Sequence, residues 1–218
     1  MRAIIIGSTG LVGNLILKEV LKDNDFSEVR IFVRKPTGIN NPKLKEFVSP
    51  MIEIVSLSCE IKGDVLFNAL GTTIKKAGSQ SEQQRIDRDL PVNFAKIASK
   101  NGAKRMLNVS SVGASLNGGF YLKTKAEMEN GTEKFFPRNT YHFRPGFLVG
   151  ERKEFRPAEK VAYFVMKAID PLLAGSAKKY RGMPVEKLAK AMVNVSKNPE
   201  GKPSVLFFPE IIQFSQRG

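Results

Sequence analysis

The stretch Ile4-Ile5-Ile6-Gly7-Ser8-Thr9-Gly10-Leu11-Val12-Gly13 decides the fold. Three β-branched residues in a row predict a strand buried on both faces, and Leu11, Leu15, Ile16 and Val20 recur at helical spacing after it. Between strand and helix the chain must reverse tightly, let another group approach its backbone, and pack the helix close against the strand. Glycine suits each task, and Gly7, Gly10 and Gly13 stand at those places. The amino terminus of the helix then presents free N–H groups and the positive end of its dipole, which suit phosphate oxygens. The expected ligand is the pyrophosphate of a dinucleotide, held by Gly7, Ser8, Thr9, Gly10, Leu11, Val12 and Gly13.

Outward from this turn, the strand itself reads as Arg2 to Ile6. Further apolar runs rich in β-branched residues follow at Val29 to Val33, Ile52 to Leu57, Val65 to Ala69, Arg105 to Val109, Tyr141 to Phe143 and Val205 to Phe208. Stretches of 3.6-residue period lie between them, as in Phe94, Ile97 and Ala98, with Pro91 near the front of that helix and Gly102 just past its end. Strands separated by helices imply right-handed crossovers and an open parallel sheet. The fold class is therefore α/β: a Rossmann-type doubly wound, mostly parallel sheet with helices on both faces. At 218 residues the chain suits one domain over 1–218. Pro157 to Leu172 and Val185 to Ser196 read as helices, making 151–200 a short cap on the substrate side.

Composition removes several function classes. A single cysteine, Cys59, forms no internal disulfide, and Met1 leads straight into strand-like residues, so a reducing compartment, most simply the cytoplasm, is expected. The apolar stretch Val161 to Ile169 is interrupted by Lys167 and is far below the roughly 20 residues of a bilayer span. No membrane span is expected. The net charge of +14 favours anionic partners, but the basic residues are spread along the chain without interleaved aromatics, and no nucleic acid is expected. Cys59 has no partners at metal-ligand spacing, so no metal is expected. His142, the only histidine, alternates with apolar residues and reads as structural. Glu127 and Glu129 on their helix, and the run Lys178 to Arg181, read as solvent-facing.

The second strand ends Phe32-Val33-Arg34-Lys35. A site selective for NAD places a carboxylate near that point to bond the ribose 2′-hydroxyl. Arg34 and Lys35 would instead attract a 2′-phosphate, so NADP(H) is preferred over NAD(H). Tyr121 and Lys125 stand four apart at the front of an amphipathic stretch and so share a helix face. Just upstream, Met106-Leu107-Asn108-Val109 runs into Ser110-Ser111, which puts hydroxyls at a strand's carboxyl end, where open α/β sheets bind ligands. Reducing a carbonyl by hydride transfer leaves a developing alkoxide that needs a proton and a hydrogen bond. A nearby ammonium favours the phenolate form of a tyrosine and so makes it a better acid. Tyr121 is expected as the acid, Lys125 as its tuner and ribose contact, and Ser111 as the group steadying the oxygen. Ser110 stands as the alternative hydroxyl and as a cofactor contact.

With these residues in view the chain resembles the short-chain dehydrogenases/reductases, in their atypical or extended branch, and within it the NADPH-binding Tat-interacting-protein-like subgroup. The resemblance covers Ala3 to about Lys160. It is most specific at Phe67 to Thr73, at Ile86-Asp87-Arg88-Asp89 and at His142-Phe143-Arg144-Pro145-Gly146. It implies a Rossmann sheet, an oxidoreductase activity on a small-molecule substrate, and cofactor contacts at Asn68, Ala69, Leu70, Gly71, Arg144, Pro145 and Gly146. Three departures qualify it. Only ten positions separate Ser111 from Tyr121, so a substrate-binding loop is missing. Asp87 stands where many relatives have Asn. Some members act as NADPH-bound interaction proteins, so an NADP(H)-binding regulatory or interaction protein with little or no turnover is the alternative; a protein partner and a homodimer are the further partners the resemblance allows.

Overall fold

The computed structural model describes residues 1–50, 56–150, 173–198 and 204–216. The chain begins with β1 (Arg2–Ile6), α1 (Leu11–Lys22), β2 (Glu28–Val33), β3 (Leu44–Val48) and β4 (Val65–Asn68). Two short helices, α2 (Ile74–Ala77) and α3 (Gln80–Gln84), run through a π turn at Arg85–Asp89 into α4 (Leu90–Lys100). Then come β5 (Arg105–Val109), α5 (Phe120–Glu133), β6 (Thr140–Phe143) and β7 (Leu148–Val149). A 3-10 helix at Gly175–Tyr180, β8 (Met183–Pro184), α6 (Val185–Lys197), β9 (Val205–Leu206) and α7 (Phe208–Gln216) complete the order.

Among the described residues the main sheet has seven strands in the order β3-β2-β1-β4-β5-β6-β9, and every pairing in it is parallel. Alternation along the strands sorts the core into two layers. Ala3 and Ile5 of β1, Val29 and Ile31 of β2 and Phe67 of β4 face α1 and α6, meeting Ile16, Leu17, Leu188 and Met192. Ile4, Ile6, Phe32, Leu66 and Met106 point the other way, onto Leu90, Phe94, Ala95 and Ala98 of α4. Burial on both faces favours strands that are mostly apolar, which is why β1, β2 and β4 were legible as runs, with Arg30 in β2 held by Glu28 and Glu60.

The edge of the sheet differs from the expectation. Of the expected strand at Ile52 to Leu57, residues 52–55 lie outside the described residues, and Ser56 and Leu57 form a turn. The edge is instead Leu44-Lys45-Glu46-Phe47-Val48, a half-polar segment whose Val48 is exposed, as suits a strand paired on one side. Pro157 to Leu172 also lies outside the described residues. The expected cap helix at Val185 to Ser196 is α6, and it packs in the face layer beside α1 rather than over the carboxyl ends of the strands. Its buried stripe, Leu188, Ala189, Met192, Val193 and Val195, joins the core of β1 and α1. Lys197 at its far end pairs with Asp23 at 2.8 Å.

Pro91 accounts for the π turn. Proline has no N–H to donate and its ring crowds the carbonyl four residues back, here that of Asp87. Widening the preceding turn relieves both, and the Leu90 N–H reaches Arg85 O, five residues back.

Candidate functional site

The site lies at the switch point of the sheet. From β1 the chain steps to β2 on one side and later returns to β4 on the other, so a crevice opens beyond the carboxyl ends of β1 and β4. Gly7 lines it with φ +80°, and a Cβ there would stand 2.5 Å from the carbonyl carbon and oxygen of Ala69. At Gly13 a Cβ would fall 2.1 Å from Gly7 O. Turn, helix and β4 loop therefore approach one another as closely as backbone allows. Gly10 is the N-cap of α1, and no side chain caps the helix. Its first N–H groups have no partner within the helix. Ser8 is buried, and its Oγ finds no hydrogen-bond partner. A cradle that side chains would fill, uncapped helix donors and an orphaned hydroxyl fit a pyrophosphate.

Arg34 and Lys35 follow β2 directly, next to β1 in the sheet, and both are exposed. The β4 end is pinned from beneath. Asn68, fully buried, accepts a hydrogen bond from Leu70 N at 3.1 Å and donates one from Nδ2 to Asn108 Oδ1 at 2.9 Å. This fixes the Ala69-Leu70-Gly71 backbone.

Asn68, Asn108 and His142 occupy one register row across β4, β5 and β6. Asn108 Nδ2 donates to Thr132 Oγ1 at 2.9 Å and lies 3.3 Å from His142 Nδ1. Burial pushes the His142 imidazole down to about 4, against a smaller opposing pull from Glu129, so the ring is neutral at physiological pH. His142 is a wall of the core in β6.

Tyr121 and Lys125 lie one turn apart on α5. Lys125 is almost wholly buried, and its Nζ stands 3.5 Å from both Leu70 O and Val109 O, at the carboxyl ends of β4 and β5. The ammonium is 6.0 Å from the centre of the Tyr121 ring, which is 43% exposed at the rim. Ser110 is buried with its Oγ unpartnered, and its backbone N–H donates to Phe143 O. Ser111 Oγ donates to Val112 O at 3.3 Å. The structure thus gathers Lys125, Ser110, the Asn68 loop and the glycine cradle at one end of the sheet. It leaves Tyr121 at the rim, without a hydrogen bond to Ser111.

Two expected contacts are placed differently. The Arg144 guanidinium is committed to Glu129, donating from Nε to Oε1 at 2.9 Å and from Nη2 to Oε2. Glu129 is buried, so the reading of that carboxylate as solvent-facing fails, and the side chain of Arg144 is a strut between β6 and α5. Glu127 pairs with Arg88 at 2.9 Å. At Gly146 a Cβ would meet Arg181 O at 2.6 Å and Tyr180 O at 2.8 Å, so the close approach there is that of the 3-10 helix end. Pro145 accepts from Val112 N at 2.9 Å. Lys178 to Arg181 form the end of that helix and its cap, and Arg181 Nε donates to Leu173 O at 2.9 Å.

Asp87, noted in the sequence only as a departure from relatives with Asn, and Gln83, not noted at all, brace the Thr72 backbone beside the β4 loop. Asp87 is fully buried, accepts from Thr72 N at 2.9 Å through Oδ1, and has no partner for Oδ2. Gln83, also buried, donates to Thr72 O at 3.1 Å. The available signal for Asp87 was its place in Ile86-Asp87-Arg88-Asp89, where many relatives have Asn; Gln83 had none.

No family model matches the chain. Among curated proteins it is 33% identical over 196 residues to Protein HTATIP2 of Rattus norvegicus, covering 87% of this chain and 78% of that protein. It is 36% identical over 160 residues to Protein FMP52, mitochondrial, of Candida albicans, covering 71% and 70%. The Eremothecium gossypii protein of the same name is 32% identical over 172 residues, covering 78% and 77%. The chain belongs to the HTATIP2- and FMP52-type short-chain dehydrogenases/reductases.

Solved structures share this family's fold at low identity. MoeE5 in complex with UDP-glucose and NAD superposes with a TM-score of 0.69 at 14% identity, covering 100% of this chain and 81% of that one. A short-chain dehydrogenase/reductase superfamily protein from Agrobacterium tumefaciens with bound NAD gives 0.69 at 14% identity, covering 92% and 75%. The FMP52 relatives correct one expectation, because they are named as mitochondrial, against the cytoplasmic location read from composition. A single cysteine records only that this fold does without disulfides, a property not peculiar to the cytoplasm. Among the described residues no helix is long and apolar enough to cross a membrane.

Proposed function

We propose that this HTATIP2- and FMP52-type protein is an NADPH-dependent oxidoreductase, acting as a single unit over 1–218, that reduces a carbonyl-type group of a small molecule. The observation that carries this reading is the placement of Tyr121 and Lys125 on one face of α5, with Lys125 Nζ against the carboxyl ends of β4 and β5 beside the glycine cradle. The backbone of Gly7 to Gly13 and the hydroxyl of Ser8 hold the pyrophosphate. Arg34 and Lys35 meet the 2′-phosphate, which selects NADP(H) over NAD(H). The Asn68 to Gly71 backbone, Ser110 and the Pro145-Gly146 backbone would line the bound cofactor. Hydride is the chemistry supplied there by the bound cofactor. The chain's own part is the proton. Tyr121 Oη gives its proton to the substrate oxygen, the Lys125 ammonium stabilises the phenolate left behind, and Ser111 steadies the oxygen with a hydrogen bond.

NADPH oxidation across a panel of aldehydes, ketones and quinones tests this reading. With a turned-over substrate, Tyr121→Phe is expected to lower kcat about a hundredfold or more, the usual worth of a positioned acid. Turnover untouched by that substitution removes Tyr121 from the mechanism.

One observation favours a second reading. Tyr121 is 43% exposed, and the Ser111 hydroxyl faces Val112 O rather than Tyr121. An NADP(H)-binding interaction protein with little or no turnover needs no closer arrangement. That reading expects cofactor binding without turnover on any substrate, and capture of a protein partner that changes with cofactor occupancy. Capture indifferent to cofactor counts against it.

A further inference from the structure

The buried side chains of Asn68, Asn108, Thr132 and His142 form a hydrogen-bonded relay across the sheet, and its direction follows from one end. The Leu70 N–H can only donate, so the Asn68 atom that it meets at 3.1 Å is the carbonyl Oδ1. Asn68 Nδ2 is then the donor, to Asn108 Oδ1 at 2.9 Å and to Met128 Sδ at 3.6 Å. That leaves Asn108 Nδ2 with two hydrogens to place. One goes to Thr132 Oγ1 at 2.9 Å, whose own hydroxyl donates to Glu129 O at 3.0 Å. The other goes to His142 Nδ1 at 3.3 Å, and a ring nitrogen accepts it only when it carries no proton of its own. The neutral ring therefore carries its hydrogen on Nε2. That atom is buried and finds no partner among the described residues, so packing alone does not account for a histidine here. What the imidazole supplies is the acceptor at Nδ1.

We propose that His142 is a positioning residue: its unprotonated Nδ1 holds the Asn108 amide in the one orientation that lets Asn108 and Asn68 secure the Leu70 N–H, and so sets the β4 loop for the dinucleotide. The proposal rests on the reading of the Asn68 to Gly71 backbone as cofactor-lining. Without the acceptor the Asn108 amide is free to turn over, because the Thr132 hydroxyl serves as donor or acceptor equally. Turned over, Asn108 presents Nδ2 to the Nδ2 of Asn68. Two donors then face each other, and one bond on the way to the Leu70 N–H is lost. A ring protonated on Nδ1 forces the same inversion. Burial keeps the ring neutral at physiological pH; the charges that act on it are Glu129 on α5, which opposes burial, and Arg144 after β6, which adds to it.

Two measurements on the full chain without cofactor test the relay. His142 is the only histidine, so NMR of the 15N-labelled protein reads its ring nitrogens without overlap. At neutral pH the proton is expected on Nε2; a proton on Nδ1 overturns the proposal. In His142→Leu, hydrogen exchange at the Leu70 N–H is expected to speed up about two- to tenfold beyond any change at the Ile5 N–H of β1, the worth of one hydrogen bond. His142→Asn, whose Oδ1 stands in for Nδ1, is expected to restore the parent rate. A Leu70 N–H that changes no more than that of Ile5, or His142→Asn behaving as His142→Leu does, shows a packing role alone and overturns the proposal. If His142→Leu fails to fold, the ring proton and the comparison of His142→Asn with the parent still decide it. NADPH titration then separates the relay from the reading beneath it. The Kd is expected to rise in His142→Leu by about the same two- to tenfold factor. A Leu70 N–H that responds while NADPH affinity stays unchanged leaves the relay standing and removes the β4 loop from the cofactor reading instead.

Discussion

His142 shows how a single side chain ties this fold to pH. Its folded-state value of about 4 lies below the ordinary value of 6.5, so between those values the unfolded chain binds the proton and the folded one does not. Stability is therefore full above about pH 6.5, falls as pH drops through this window, and is lower by about 3 kcal/mol below pH 4 on account of this group alone. His142→Gln, compared with the parent by urea unfolding at pH 4.5 and pH 7, is expected to flatten that part of the slope. An unchanged slope shows that other groups set it. Arg34 is a residue of the opposite kind, exposed and expendable to the fold. Arg34→Asp is expected to weaken NADPH about 10- to 100-fold, in line with the roughly 1.5–3 kcal/mol of a charged hydrogen bond, and NADH much less. Equal losses for both nucleotides in a binding titration rule out Arg34 as the 2′-phosphate contact. Residue by residue, the sequence was readable where identity dictates geometry, as at Gly7 and Gly13. It misled at Glu129 and Arg144, because nothing local announces that two charges 15 positions apart will bury each other between α5 and β6.

At the scale of elements, the approach of α1 to β1 is the tightest packing near the site. Gly13→Ala drives a methyl group to 2.1 Å from Gly7 O, a backbone atom that cannot rotate away. The turn must open, at a cost of about 1–3 kcal/mol in stability. Thermal unfolding and NADPH titration should both register the change; a variant with unaltered Tm and affinity shows that the turn is more pliant than its geometry implies. β1 and α1 could be read in advance because the pattern is local and the strand is apolar on both faces. β3 could not, since an edge strand pairs on one side only and tolerates Lys45 and Glu46. The buried side of α5 was hidden for a related reason. Lys125, Glu129 and Thr132 line it, and their partners sit on other elements: Leu70 O and Val109 O at the ends of β4 and β5, Arg144 after β6 and Asn108 on β5. A helix whose inner face is polar gives little periodic signal, even though that face holds the candidate chemistry.

For the whole molecule, cofactor binding should appear as added stability. A ligand present at 100 times its Kd contributes about 2.7 kcal/mol to a folded state that alone binds it, which for a chain of this size raises Tm by roughly 5–10 °C. NADPH is expected to produce this shift, and NADH a smaller one at equal concentration. No shift with either nucleotide removes dinucleotide binding from the proposed function. The parallel, doubly wound character of the sheet followed from the alternation of apolar runs and helices, whereas the cytoplasmic reading from composition did not hold against the relatives named as mitochondrial. The pairing of Lys197 with Asp23 reaches across 174 positions of sequence, and alongside it α6 covers the apolar side of α1. During synthesis, then, the first β-α-β unit emerges from the ribosome long before its cover does. Until α6 follows, the part of α1 that it covers has no cover from this chain.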